Sequence, residues 1–103
     1  MSDTQTMTEP KVEPAAPEYR YMGAVALDEF SHVASVGSRV EYYRGFMARD
    51  LEPTLKNYYL PERLAASETR ATAWLLATRG KVLLTQQRHG PDDYSYFATK
   101  AAR

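Results

Sequence analysis

The alternation of apolar and polar residues predicts secondary structure from Tyr19 onward and none before it. Leu27, Phe30, Val33 and Ala34 recur at helical spacing behind Asp28, a good N-cap, and Gly37 suits the position just past a helix end. A helix over 28–36 follows. In "SRVEYYRGFMARD", Val40, Tyr42 and Phe46 alternate with Glu41, Tyr43 and Met47, the period of a strand. Gly45 marks a bulge or a turn within it. Asp50 then caps a short helix with Pro53 in its first turn, and Pro61 forces a break before a second helix. On that second helix Leu64, Ala71 and Leu75 share one face and Ala66, Ala73 and Ala77 the other. Arg79-Gly80 closes it.

The chain finishes in "KVLLTQQRHGPDDYSYFATK", which reads as a β-hairpin. Val82 and Leu84 lie on one face, Leu83 and Thr85 on the other. The return strand sets Tyr94, Tyr96 and Ala98 against Ser95, Phe97 and Thr99, and His89-Gly90-Pro91-Asp92-Asp93 supplies the turn. The expected core draws on Leu27, Phe30, Val33, Val40, Tyr42, Leu55, Leu64, Ala71, Trp74, Leu75, Val82, Leu84, Tyr96 and Phe97. Trp74 is expected to fill the space under the hairpin.

Residues 1–18 hold three of the six prolines and almost no bulky apolar side chain. That segment is expected to be a disordered tail, leaving one domain over 19–103. Four acids against Lys11 make the tail net −3, so the rest of the chain is net +3. The whole chain is neutral, and overall charge therefore selects no nucleic-acid or membrane partner. There is no cysteine, which removes disulfides, thiolate chemistry and cysteine-based zinc sites. The N-terminus has no apolar signal region, and no apolar run approaches the ~20 residues of a membrane span. The expected location is cytoplasmic.

Candidate chemistry is sparse. His32 and His89 lack carboxylates at ligand spacing, so neither a metal nor a cofactor is expected. Asp92-Asp93 is explained by turn formation rather than by acid–base catalysis. No phosphate-cradling glycine loop, G-x-S-x-G or H-E-x-x-H occurs, and the chain is not expected to be an enzyme. Eight tyrosines fall in four close pairs, and many are expected at the rim of a small core. Tyr94 and Tyr96 alternatively have the spacing of a base-stacking platform.

The order helix, strand, short helix, longer helix, strand, wing, strand resembles a winged helix-turn-helix domain, most closely over Thr69–Lys100. That resemblance implies a small α+β domain with three helices, a three-stranded antiparallel sheet and a C-terminal hairpin. It also implies DNA as the favoured partner, with the helix before the hairpin in the major groove and basic wing residues on phosphate. The residues it designates are Arg63, Thr69 and Arg70 on the helix and Lys81, Gln86, Gln87, Arg88 and His89 about the wing. Residues 63–103 carry net charge +4, in keeping with it. The alanine face of the helix and the acidic wing tip run against it, since bases are read by polar side chains and phosphate repels carboxylates. The alternative is a protein-interaction module or homodimer using the alanine face or an exposed hairpin edge.

A second resemblance lies in Tyr42-x-Arg44-Gly45 and Gln86-x-Arg88-x-Gly90 followed by Tyr94. These look like motifs of small uncharacterised proteins of alphaproteobacteria and their prophages, which implies a bacterial or phage setting and no transferable activity.

Overall fold

A computed structural model describes residues 19–102. The expected tail over 1–18 lies outside the described residues. The elements are β1 (Arg20–Tyr21), α1 (Ala24–Val33), β2 (Arg39–Gly45), α2 (Met47–Asp50), α3 (Pro61–Thr78), β3 (Val82–Gly90) and β4 (Asp93–Lys100). The four strands form one antiparallel sheet in the order β1-β2-β4-β3. The α+β class and the hairpin stand as expected; the sheet has four strands rather than three. The additional strand, β1, pairs Arg20 with Arg44 and Tyr21 with Tyr43, and two residues are too short a run to show a period.

Two helix starts differ from the sequence expectation. Helix α1 begins at Ala24, because Gly23, at φ 103°, turns the chain directly from β1 into the helix. Asp28 therefore lies inside α1, where its carbonyl accepts the Ser31 hydroxyl at 2.6 Å. Gly37 lies in the turn before β2, its N–H donating to the Lys100 carbonyl at 2.9 Å. Asp50 ends the four-residue α2 rather than starting a helix at Pro53. Its carboxylate folds back to accept the Phe46 N–H at 2.8 Å and the Tyr43 hydroxyl at 3.0 Å. Phe46 is thus outside the strand. Gly45 is the last strand residue, and the bulge falls between Glu41 and Tyr43.

Helix α3 starts at Pro61, as the break predicts, with proline in the first turn where its missing N–H costs nothing. It stops at Gly80, φ 75°, in a Schellman motif: the Gly80 N–H donates to Ala77 and the Lys81 N–H to Leu76.

The core lies between one sheet face and the pair α1–α3. Leu27, Tyr42, Tyr43, Ala66, Ala73, Leu76, Val82 and Ala98 are buried there. The bulge leaves Tyr42 without a partner on β4, so Tyr42 and Tyr43 are buried in succession. Tyr43 stacks on Tyr19 and meets Tyr96 edge to face, both at 5.6 Å between ring centres. Tyr42 and Tyr43 are the largest buried side chains of the sheet, and α3 meets it with Ala66, Thr69, Ala73 and Leu76. This inverts the expected orientation of α3. Ala66 and Ala73 face inward, while Leu64, Trp74 and Leu75 are exposed, Trp74 at 71%. Val33 and Leu55, also expected inside, are exposed as well. Among the described residues no helix is long and apolar enough to cross a membrane.

Candidate functional site

Strand register decides which hairpin residues act together. Val82, Leu84, Gln86 and Arg88 pair with Lys100, Ala98, Tyr96 and Tyr94 on the helix side of the sheet. Leu83, Thr85, Gln87 and His89 belong to the opposite side. The turn itself is two residues: Pro91 leads, and Asp92 takes a positive φ of 56°, a conformation aspartate tolerates better than most residues.

The acidic tip of the hairpin is neutralised within the chain. Asp93 receives two parallel hydrogen bonds from Arg44, Nε–Oδ1 at 2.7 Å and Nη2–Oδ2 at 3.0 Å. Asp92 receives one from Arg49 Nη1 at 2.9 Å. The hydrogen bond from the Arg44 guanidinium holds the Asp93 carboxyl below its usual range. These arginines, on β2 and α2, lock the hairpin to the rest of the sheet.

The designated DNA-contacting residues divide into two groups. Arg63 is 8% exposed, and its guanidinium donates to the carbonyls of Leu51, Asn57 and Tyr58 at 3.1–3.3 Å. Thr69 is fully buried and donates to the Ala65 carbonyl at 3.0 Å. Neither reaches the surface: Arg63 straps the 51–60 segment to α3, and Thr69 belongs to the inward stripe. Arg70, Lys81, Gln86 and Arg88 are exposed. Lys81 and Arg88 flank opposite ends of β3, seven residues or roughly 23 Å apart at strand rise, so Lys81 sits at the root and not the tip of the hairpin. Lys81 instead shares a recess with Arg79, Lys100, His32 and Asp28, beside the C-terminal ends of α1 and α3. Cations there offset the negative helix ends.

Arg70 and Gln86 do come together, lining a groove of about 330 Å³ between α3 and the sheet. Tyr42, Met47, Trp74, Leu84, Thr85 and Tyr96 complete its walls. Burial pushes the Tyr42 hydroxyl up to about 12, so it is neutral at physiological pH. The Tyr96 hydroxyl accepts the Met47 N–H at 3.1 Å, and Tyr94 is half-buried and stacks on Phe46 at 5.7 Å. Tyr94 and Tyr96 are thus engaged in packing, and the exposed base-stacking platform is not built.

The opposite sheet face carries a polar chain that sequence reading misses. His89 Nε2 lies 2.6 Å from Ser95 Oγ, which donates to Glu41 Oε2 at 2.5 Å. The three residues of a hydrolytic triad are present in the wrong order. Serine is in the middle, 2% exposed, its proton directed to glutamate and its lone pair facing the imidazole. A nucleophilic serine needs histidine as its base and an open face for substrate, and this one has neither. The group cross-links β2, β3 and β4. On the same face the Arg39 guanidinium lies 3.9 Å over the Phe97 ring. Glu41 and Ser95 are 54 positions apart in sequence, and only the strand order brings them together. Among the described residues no three metal-ligating side chains gather in one place.

The outer side of α3 exposes Leu64, Ala71, Trp74 and Leu75 alongside Glu68 and Arg70, with Trp74 and Arg70 beside the groove. No family model, curated protein or solved structure matches the chain.

Proposed function

We propose that this chain is a non-catalytic binding protein of winged-helix-like build whose outer α3 face and adjoining groove take a protein rather than DNA. One observation carries the reading: Trp74 is 71% exposed on the same helix as exposed Leu64 and Leu75. A small domain exposes such a cluster at an interaction site more readily than by accident, and tryptophan dominates binding energy where it anchors an interface. A base-reading helix carries polar donors and acceptors at these positions instead. The winged-helix-like part of the proposal is supported by the order β2, α2, α3, β3, β4 and by β4 lying between β2 and β3. The setting proposed, a bacterial or phage cytoplasm, rests on the lack of cysteine and on the Tyr42-x-Arg44-Gly45 and Gln86-x-Arg88 motifs.

DNA is the second reading, and the paired acids at the hairpin tip favour it. With Asp92 and Asp93 occupied by Arg49 and Arg44, exposed Arg88 meets less local repulsion of phosphate than the sequence implies. A fluorescence-anisotropy titration on random duplex DNA at low and moderate salt separates the two. The protein reading expects no salt-sensitive binding. Binding that weakens with salt, and weakens further in Arg88→Glu, moves the assignment to DNA.

A further inference from the structure

We infer that the partner of this surface is a second copy of the chain, joined edge to edge through β3 about a two-fold axis at Leu84. The inference rests on the docking role of the α3–β3 surface proposed above.

Among the described residues the sheet ends on one side in β1, two residues long, and on the other in β3, nine residues long. A long free edge is a template for another strand, and proteins that stay single blunt it with proline, an inward charge or a bulge. Leu83–Gln87 contains none of these: it is uncharged, it lacks proline and glycine, and its pairing with β4 is regular. The only irregularity falls beyond it, between Arg88 and Gly90.

The symmetry follows from the strand itself. An axis perpendicular to the sheet makes two β3 strands antiparallel and keeps both helix layers on the same side. Opposed residues must then point to the same face. Centring on Leu84 sets Leu84 against its counterpart, Val82 against Gln86 and Leu83 against Thr85. Moving the centre to Thr85 or Gln86 places Arg88 opposite Val82 or Leu84, a charge facing an apolar residue within the ladder. The Leu84 register leaves Arg88 outside the paired stretch.

The helix layer supplies the remaining area. Trp74 lines the groove together with Leu84 and Gln86, on the face where the two copies adjoin. Stable interfaces bury on the order of 1,000 Å² or more. Two tryptophans at about 150–250 Å² each cover roughly a third to a half of that, and the five-residue ladders over 82–86, with Leu83 and Thr85, add to it.

Sedimentation velocity on the full chain, from low to high micromolar concentration, tests this. The wild type should pass from monomer to dimer. Thr85→Lys and Leu83→Lys each change an exposed side chain near the axis, and each should weaken the dimer at least tenfold with an unchanged circular dichroism spectrum. A dimer that survives both substitutions overturns the strand pairing. A chain that stays monomeric throughout overturns the second copy as occupant. Trp74 is the only tryptophan, so acrylamide quenching of its emission then reports on the underlying reading. Ready quenching in the monomer keeps the docking surface and assigns it to a different protein. Shielding in the monomer withdraws the surface as well.

Discussion

Arg44 holds Asp93 through two parallel hydrogen bonds of 2.7 and 3.0 Å, tying the penultimate residue of β2 to the first residue of β4. The planar guanidinium matches the carboxylate fork, a geometry that lysine cannot reproduce. Arg44→Lys is therefore expected to behave like Arg44→Gln, with several-fold faster amide exchange at Asp92 and Asp93 in either variant. The pH response has a definite sign. Asp93 is more acidic folded than unfolded, so its contribution is complete above the unfolded carboxyl value and is lost as pH falls through the lower folded value. Thermal melts of the wild type should drop across this acidic window, and those of Arg44→Gln should drop less.

Gly45 is required by its surroundings. Its φ is 142°, and a β-carbon there would lie 2.6 Å from Asp50 Oδ2 and 2.8 Å from Tyr19 Cβ. The Asp50 carboxylate has little freedom to give way, being fixed by Tyr43 and the Phe46 N–H. Gly45→Ala is expected to cost about 2–4 kcal/mol, combining backbone strain with a clash. Chemical denaturation would show a lower midpoint, and an unchanged midpoint would refute this packing at the end of β2.

Arg63 exchanges a proposed role at the surface for one inside. It is the common donor to three carbonyls of the segment between α2 and α3, which has no regular structure of its own to satisfy them. Arg63→Met keeps much of the length but removes every donor, leaving the buried Leu51 carbonyl unpaired at about 1–3 kcal/mol, while the Asn57 carbonyl keeps the Leu60 N–H. A total loss of roughly 2–4 kcal/mol is expected, since part of the segment can turn to water. Proteolysis should then cut within 51–60 first, whereas the same test on exposed Arg70→Met should leave the fragment pattern unchanged.

Which features the sequence makes legible depends on whether they are local. The Pro61 start and Gly80 stop of α3 are read directly, because one proline and one glycine act on their own neighbours. The hairpin faces follow from strict alternation, and Val82 and Ala98 are buried as that pattern requires. The orientation of α3 is not legible in this way. Leu64, Ala71 and Leu75 form a more apolar face than Arg63, Ala66, Thr69 and Ala73, and the apolar face normally points inward. Here the bulged β2 turns two consecutive tyrosines into the core, and they pack against a helix stripe in which Ala66, Thr69 and Ala73 accompany Leu76. That is a property of packing between distant segments. The candidate site is partly legible for the same reason: exposed Arg70, Gln86 and Arg88 are identifiable by type, but the acids at the hairpin tip are neutralised by Arg44 and Arg49, more than 40 positions away along the chain.

The tyrosine core also makes the fold sensitive to alkali. Burial raises Tyr42 to about 12 and raises Tyr19, Tyr43 and Tyr96 above the usual phenol value as well. A phenol that is less acidic folded than unfolded stabilises the fold fully below about pH 10. Above that value the unfolded chain ionises first, and the stabilisation declines as pH rises through the folded value. For Tyr42 alone the loss approaches roughly 2–3 kcal/mol by pH 12, because each pH unit between the unfolded and folded values is worth about 1.4 kcal/mol. Tyr42→Phe retains the ring that meets Tyr96 and removes the ionisable hydroxyl, so it should melt near the wild type at neutral pH and above it at pH 11. Near-ultraviolet titration provides the second readout. In the native protein the buried Tyr42 and Tyr43 should ionise only together with unfolding. Ionisation of all eight tyrosines in one step near pH 10, without loss of structure, would show that the sheet does not bury them as described.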